Sequence, residues 1–303
     1  MVAKTAAVTL EDLSRDAMAA DLSAAERQAW IEDALACIRL HGAVVVRNAI
    51  PPAVIAAVNE EFRVRHDVHM APGQKKLFRR FQSDPLRAQV PTAVAGPVAN
   101  PDFFAPPSVV ALARELVGDD FVIGDMGVVI SHGGATRQEA HRDSSPLFDG
   151  LEMDLDLPIF CLMVLVPLID VSVDMGPTEY WPGSHRIRDT GLAMSVPPIQ
   201  VPVEAGTVCL HDSRLVHRGG NNVAGPVRPL LYFGFHRSWH FDDDGFAYKP
   251  QIRITEAMLE RLPEEHRQRF RWALHLNRVE NVSEFVGLWV RRIRRTLSGQ
   301  GYV

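Results

Sequence analysis

The fold is decided by an unbroken apolar run, Phe160-Cys161-Leu162-Met163-Val164-Leu165-Val166. Such a run is too short to cross a membrane as a helix, and its length is typical of a strand buried on both faces. Further runs rich in β-branched or aromatic residues surround it, each bounded by Gly, Pro or Asp. They are residues 121–132, 201–210 and 228–235. Strands separated by turn residues in this way predict an all-β sandwich or barrel as the core of the protein.

Helices are predicted on both sides of this core. Ser23-Ala24-Ala25-Glu26 is a capping box that begins an amphipathic helix ending at Gly42, and Pro51-Pro52 begins a second helix. Between them and the core, residues 84–106 are rich in Pro and Ala, and we expect a long loop there. Towards the C-terminus the pattern is helical again, over residues 255–262, 264–276 and 283–297.

We predict that these segments form a single domain spanning residues 1–303. Its parts are a helical preface at about 8–66, a β core at about 120–240 and C-terminal helices at about 255–299. The three cysteines lie far apart in apolar stretches, which indicates buried side chains rather than disulfides. They are Cys37, Cys161 and Cys209.

The composition is that of an ordinary soluble globular protein, since 47% of the 303 residues are hydrophobic and 23% are charged. The formal net charge of -5 gives no drive towards nucleic acid or an anionic membrane, so neither is expected as a partner. The N-terminal residues are acidic and contain no long apolar run, and no segment reaches the length of a membrane span. We therefore expect a cytoplasmic protein, and the sequence leaves a homodimer open.

A metal site is indicated by the run Gln138-Glu139-Ala140-His141-Arg142-Asp143. Side chains alternate between the two faces of an extended segment, so His141 and Asp143 point to one side while Arg142 points away. A third ligand from a distant strand would complete a facial arrangement of two histidines and one carboxylate, which suits non-heme Fe(II) oxygenases. His211 and His217 both follow one downstream strand, and periodicity alone does not choose between them.

Arg228 lies eleven residues after His217 and offers a different chemistry. A guanidinium binds a carboxylate through two parallel hydrogen bonds. 2-Oxoglutarate carries such a carboxylate beyond the end that chelates a metal. Arg228 is therefore a candidate for binding this co-substrate.

Two further segments give these residues a context. Between the first pair and the distal histidines lies Gly176-Pro177-Thr178-Glu179-Tyr180-Trp181-Pro182-Gly183-Ser184-His185-Arg186. The distal segment, residues 205–221, reads Ala-Gly-Thr-Val-Cys-Leu-His-Asp-Ser-Arg-Leu-Val-His-Arg-Gly-Gly-Asn. In order and spacing, residues from about 42 to about 236 resemble the phytanoyl-CoA dioxygenase family of Fe(II)/2-oxoglutarate-dependent oxygenases. They look most like the branch that oxidises natural products such as fungal meroterpenoids.

The resemblance implies a double-stranded β-helix, the cupin-like jelly roll, with the metal at the open end of the barrel. It selects His217 rather than His211 as the third metal ligand and puts Arg228 at the position that binds 2-oxoglutarate. Gln138 and Thr178 match positions that help to hold 2-oxoglutarate in the natural-product branch. The implied cofactor is Fe(II), and the implied co-substrates are 2-oxoglutarate and O2.

The expected function is oxidation of a small, largely apolar organic substrate, a secondary metabolite, by hydroxylation or a related C–H oxidation. Alternatives of the same family are an acyl-CoA or fatty-acid hydroxylase and a halogenase, but Asp143 argues against the halogenase because that variant replaces the carboxylate. A non-catalytic jelly-roll binding module and a zinc hydrolase are the alternatives of other classes. The binding module is disfavoured because all three ligands and Arg228 are present, and a hydrolase would leave Arg228 without a role.

Substrate contacts are expected from a segment that interleaves cations with aromatic residues. Phe78 and Phe81, or one of Arg79 and Arg80, would face the barrel mouth and bind an apolar substrate that carries a carboxylate or other polar group. Phe148 and Trp239 would line the opposite wall.

Overall fold

The computed structural model describes residues 8–70, 84, 86–148, 152–223, 225–240 and 252–273. Ten strands are present in these ranges: β1 (Ser14–Asp16), β2 (Ala43–Arg47), β3 (Arg87–Pro91), β4 (Val122–Ser131), β5 (Cys161–Pro167), β6 (Thr178–Tyr180), β7 (Ile199–Val201), β8 (Val208–Asp212), β9 (His217–Gly219) and β10 (Arg228–His236). They form a seven-stranded sheet in the order β1-β2-β8-β5-β10-β4-β3 and a three-stranded sheet in the order β7-β6-β9.

Strand pairing is antiparallel throughout these sheets except between β1 and β2. β5 is the central strand of the larger sheet, and β10 lies next to it, between β5 and β4. The two sheets meet through side chains, because Tyr180 on β6 contacts His211 on β8. The region between the sheets is where the candidate ligands lie.

β5 is buried along its whole length, as the apolar run predicts. It is hydrogen-bonded to β8 on one side and to β10 on the other. Burial of each large aliphatic side chain contributes about 1.5–3 kcal/mol, so this strand is a major source of stability in the core. The three cysteines are also buried and free, as predicted.

The helices in the described residues are α1 (Leu10–Leu13), α2 (Ala24–His41), α3 (Pro52–Met70), α4 (Pro101–Phe104), α5 (Pro107–Val117), α6 (Thr190–Ala193), α7 (Glu256–Glu260) and α8 (Glu264–Arg267). The capping box before α2 forms as predicted, with the Ser23 side chain accepting from the Glu26 N–H. α2 ends at Gly42, whose φ of 83° is in the left-handed region that favours glycine. Leu35 and Ile38 on α2 are buried in the core below it.

Four expectations about local structure were wrong or lie outside the described residues. The stretch at 84–106 is not a plain loop, because it contains β3, a 3-10 turn at Gly96–Ala99 and α4. The run at 201–210 is divided between β7 and β8, which belong to different sheets. The helix predicted at 264–276 is interrupted, because α8 is followed by a 3-10 turn at Gln268–Phe270. The helix predicted at 283–297 lies outside the described residues.

Candidate metal centre

His141, Asp143 and His217 come together between the two sheets. One ligand atom from each lies within 4.8 Å of the other two, and the Nε2 of His217 is 3.5 Å from the Oδ2 of Asp143. The backbones of His141 and His217 are directly paired, since each N–H donates to the carbonyl of the other at 3.0 Å. This pairing joins the segment that carries His141 and Asp143 to β9. It places residues 76 positions apart in one site.

The two histidine rings are oriented by their own backbones. The Nδ1 of His141 is 2.9 Å from the Glu139 carbonyl oxygen, and the Nδ1 of His217 is 3.0 Å from the Leu215 carbonyl oxygen. Because a carbonyl oxygen can only accept, each Nδ1 carries the proton and each Nε2 presents a lone pair. Burial lowers the pKa of His217 to about 3, although the Asp143 carboxylate opposes this shift. The ring is therefore neutral, as a metal ligand must be.

The hydrogen bonds of His211 argue against a place for it in this ligand set. Its Nε2 lies 3.1 Å from the Oδ2 of Asp143, and its Nδ1 lies 3.1 Å from the Tyr180 hydroxyl. Both ring nitrogens are thus engaged by protein groups. These hydrogen bonds favour His217 over His211 as the third ligand, a choice that the periodicity of the sequence does not make.

Arg142, between the two first ligands, points away from them as alternation predicts. Its guanidinium donates to the carbonyls of Arg214 at 2.8 Å, Arg188 at 3.2 Å and Ser184 at 3.2 Å, and also to that of Ile187. A further bond reaches the Thr190 hydroxyl at 3.2 Å. Arg142 therefore fixes the ligand segment to the loop around residues 184–190.

Two buried arginines lie on the strands that flank β4. Arg228 on β10 and Arg87 on β3 are both register partners of Ser131 on β4, and they are only 2% and 3% exposed. Among the described residues neither guanidinium forms an ion pair, and the Nε of Arg228 and the Nη1 of Arg87 have no hydrogen-bond partner. Burial lowers the pKa of Arg228 to about 9, with a further contribution from Arg87, and burial lowers the pKa of Arg87 to about 10.

Main-chain carbonyls hold these arginines in place. Arg87 donates to the carbonyl of Thr136 at 2.7 Å and to that of Gly220 at 2.6 Å, while Arg228 donates to that of Gly176. A neutral carbonyl does not offset a buried positive charge. An anionic group of a ligand would, and a carboxylate matches the guanidinium geometry. The pair is thus suited to the far carboxylate of 2-oxoglutarate.

Gln138 and Thr178 lie around Gly219, next to Arg87. Gln138 Oε1 accepts from the Gly219 N–H at 2.8 Å, and Thr178 is the register partner of Gly219 across β6 and β9. A Cβ on Gly219 would lie 2.5 Å from Gln138 Oε1 and 2.9 Å from Arg87 Nη1. The absence of a side chain at Gly219 therefore allows these groups to approach one another.

A cavity of about 600 Å³ connects these groups. Its polar lining includes the three candidate ligands together with Arg87, Gln138 and Thr178. Its apolar lining consists of Val129, Met163, Leu165 and Leu230. Gln89 and Tyr232 also line the cavity, with the Gln89 amide donating to the Tyr232 hydroxyl at 2.6 Å. Further charged residues of the lining are Asp84, Arg137, Glu139 and Arg142. Arg228 is buried beside Arg87 and is not among the residues that line the cavity.

Sequence reasoning missed Arg87 because residues 84–106 lack the alternation of a strand. Only the pairing of β3 with β4 brings Arg87 and Arg228 to the two sides of Ser131.

The structure does not place the predicted substrate residues in the cavity. Phe78, Arg79 and Arg80 lie outside the described residues, while Phe148 and Trp239 are 46% and 62% exposed and do not line this cavity. Their role in substrate binding stays a prediction.

Comparison with known proteins bears on this geometry. The family model of phytanoyl-CoA dioxygenase (PhyH) matches residues 38–229. The chain belongs to the phytanoyl-CoA dioxygenase family. The matched range covers His141, Asp143, His217 and both arginines, and it confirms the resemblance predicted from the sequence motifs.

Two curated relatives are similar to this member of the phytanoyl-CoA dioxygenase family. Dioxygenase af480 of Aspergillus fumigatus is 26% identical over 142 residues, which cover 46% of this chain and 45% of the relative. Iron/alpha-ketoglutarate-dependent dioxygenase penM of Penicillium thymicola is 28% identical over 206 residues, which cover 64% of each chain. The chain thus spans between about half and two thirds of the length of these relatives.

The fold is shared with a solved structure, the non-heme alpha ketoglutarate dependent epimerase SnoN from nogalamycin biosynthesis. The TM-score is 0.54 at 21% identity, over 70% of this chain and 84% of SnoN. With the family match, this likeness confirms the predicted all-β jelly-roll core with flanking helices. In the described residues, helices long and apolar enough to cross a membrane are absent.

Proposed function

We propose that this protein is an Fe(II)/2-oxoglutarate-dependent dioxygenase that oxidises a small, largely apolar organic substrate, with O2 as the second co-substrate. The observation that carries the proposal is the placement of one nitrogen from each of two imidazoles and one carboxylate oxygen within 4.8 Å of one another, together with two buried arginines that form no ion pair with any described residue. A site with a purely structural role would not need the two buried arginines. The residues present fit both iron and 2-oxoglutarate.

His141, Asp143 and His217 would hold the iron on one side. When bound, iron and 2-oxoglutarate together would supply the oxidising power: 2-oxoglutarate would lose carbon dioxide and take up one oxygen atom of O2 to give succinate, and the other oxygen atom would enter the hydroxylated substrate, or water in a related C–H oxidation. The protein contributes binding and orientation. Neutral His141 and His217 leave Asp143 as the one anionic ligand, so the site keeps a net positive charge when a divalent ion is present.

Arg87 and Arg228 would bind the far carboxylate of 2-oxoglutarate. Arg87 lines the cavity and would make the direct contact through Nη1, while Arg228 reinforces the positive potential from behind. Gln138 and Thr178, on either side of Gly219, would orient the co-substrate between the arginines and the metal. Burial of the arginines strengthens the attraction, because little water is present to screen it.

The apolar wall supports a largely apolar substrate. Met163, Leu165 and Leu230 present hydrocarbon and thioether surface, and the Gln89–Tyr232 pair adds a neutral polar group. Such a wall suits a neutral molecule with a hydroxyl or carbonyl group. A natural product is proposed as the substrate, in line with the biosynthetic setting of SnoN, whose fold the chain shares.

The test is anaerobic absorption spectroscopy of the purified protein with Fe(II) and 2-oxoglutarate. The proposal predicts a visible metal-to-ligand charge-transfer band that requires both additions and is absent in Asp143→Ala. A hydrolase or a non-catalytic binding module predicts no band. Folded wild-type protein that gives no band with saturating Fe(II) and 2-oxoglutarate would refute the proposal.

A further inference from the structure

A row of buried polar side chains ends at the candidate ligand Asp143. The Tyr180 hydroxyl lies 3.1 Å from the Nδ1 of His211, and the Nε2 of His211 lies 3.1 Å from the Oδ2 of Asp143. Tyr180 and His211 are fully buried, on facing strands β6 and β8 of the two sheets. The backbone of His211 is paired with Ala43 on β2 and with Met163 on β5. His211 therefore lies on an interior strand of the larger sheet.

The direction of each hydrogen bond follows from the chemistry of the groups. An ionised carboxylate only accepts, so the Nε2 of His211 must carry the proton and donate to Asp143. The Nδ1 of a neutral ring is then an acceptor, and the Tyr180 hydroxyl must donate to it. Burial raises the pKa of Tyr180 well above its usual value, which keeps its proton in place. With a neutral His211 ring, one arrangement of protons satisfies the whole row.

This row differs from the arrangement at the two histidine ligands. Each of those rings donates from Nδ1 to a carbonyl two residues earlier in the chain and leaves Nε2 unprotonated. In His211 the tautomer is reversed, because Nε2 carries the proton, and the bond to Asp143 occupies that nitrogen. His211 and His217 therefore have different roles, although their ring centroids are only 4.6 Å apart.

We infer that His211, locked in one tautomer by Tyr180, is a positioning residue that sets which way the Asp143 carboxylate presents its oxygens to the metal. The inference rests on the proposed function, because it assumes that Asp143 is a ligand. The bond from His211 restrains rotation of the carboxylate about its Cβ–Cγ bond and so favours one ligating orientation. Groups that orient a metal ligand typically change metal affinity by about 10- to 100-fold when they are removed.

The experiment measures Co(II) binding to the metal-free protein by titration calorimetry, together with the d–d absorption spectrum of the Co(II) form. His211→Leu is expected to weaken Co(II) binding by about 10- to 100-fold and to shift the d–d bands. His211→Gln is expected to recover most of the affinity and the spectrum, because the glutamine amide can donate from nearly the same point as Nε2. Tyr180→Phe is expected to weaken binding by about two- to tenfold, since it removes one hydrogen bond from the row.

The matched control is His185→Gln. His185 is another buried histidine, hydrogen-bonded through Nε2 to the Arg39 carbonyl at 3.3 Å, and it belongs to neither the metal centre nor the cavity lining. This variant is expected to lower the thermal unfolding midpoint while leaving the Co(II) affinity and spectrum unchanged. A role of His211 in folding alone predicts the same behaviour for His211→Leu.

Wild-type Co(II) affinity and d–d bands in His211→Leu would overturn the inference. If that variant does not fold, Tyr180→Phe decides, because it keeps the ring and its packing; unchanged Co(II) affinity and spectrum there would equally overturn it. Failure of the wild-type protein to bind Co(II) is a different result. It would remove the metal centre itself and with it the proposed function.

Discussion

Replacing Arg87 with methionine removes the guanidinium that lines the cavity and keeps a side chain of similar length. The structure predicts that this change acts on 2-oxoglutarate rather than on the metal. Arg87 Nη1 is buried, has no hydrogen-bond partner among the residues that the structure describes, and lies next to Gly219 and Gln138. Loss of a buried, hydrogen-bonded charge from a pair costs about 2–5 kcal/mol, so the dissociation constant for 2-oxoglutarate should rise about 30- to 5000-fold.

The assay is calorimetric titration of the anaerobic Fe(II) protein with 2-oxoglutarate and with pyruvate, which shares the keto-acid end but has no second carboxylate. Arg87→Met should lose affinity for 2-oxoglutarate and keep its weak affinity for pyruvate. Arg228→Met should behave in the same way. Because both arginines would serve one carboxylate, the loss in the double variant should be smaller than the sum of the two single losses.

The control is Arg237→Met. Arg237 resembles Arg87 in donating to main-chain carbonyls, those of Ile159 and Leu116 at 2.9 Å, but it does not line the cavity. Its replacement should leave the binding of both keto acids unchanged. An Arg87→Met protein that binds 2-oxoglutarate as the wild type does, or that loses pyruvate to the same degree, would refute the assignment.

Further predictions concern the metal, the co-substrate site, the substrate wall and pH. Asp143→Ala should bind little iron and form no product, as measured by metal analysis and turnover; native iron content with retained turnover would remove Asp143 from the ligand set. Gly219→Ala should displace Gln138 and Arg87 and raise the 2-oxoglutarate dissociation constant without changing Co(II) affinity, and an unchanged constant would contradict this. Tyr232→Phe should alter substrate affinity and increase uncoupled succinate formation, while equal coupling to the wild type would exclude Tyr232 from substrate contact. Since burial lowers the pKa of His217 from 6.5 to about 3, the unfolded chain binds more protons between these values. The free energy of unfolding of the metal-free protein should therefore fall as pH decreases from about 6.5 towards 3, and His217→Leu should flatten that dependence in denaturant titrations.

Local sequence signals were sufficient where a single segment decides the outcome. The capping box at Ser23 and the terminal Gly42 bound α2 as predicted, and the apolar run of β5 is buried as predicted. Alternation also placed His141 and Asp143 on one side with Arg142 on the other. In each case the physical cause lies within a few residues of the chain.

Features that depend on strand pairing could not be predicted in this way. β3 lies at the edge of the larger sheet and lacks the alternation of a half-buried strand, so only its pairing with β4 reveals it and Arg87. The choice between His211 and His217 likewise depends on which ring nitrogen is left free, a property set by partners on other strands. Periodicity treats the two histidines alike, whereas the family resemblance and the hydrogen bonds both distinguish them.

The contacts of Arg142 bear on how this protein can change over evolution. Four of its five acceptors are main-chain carbonyls, and a carbonyl is present whatever side chain the residue carries. The loop around residues 184–190 can therefore accept many substitutions without releasing the segment that carries His141 and Asp143. We expect the loop to tolerate changes of sequence far better than changes of length, because an inserted or deleted residue would move the carbonyls themselves.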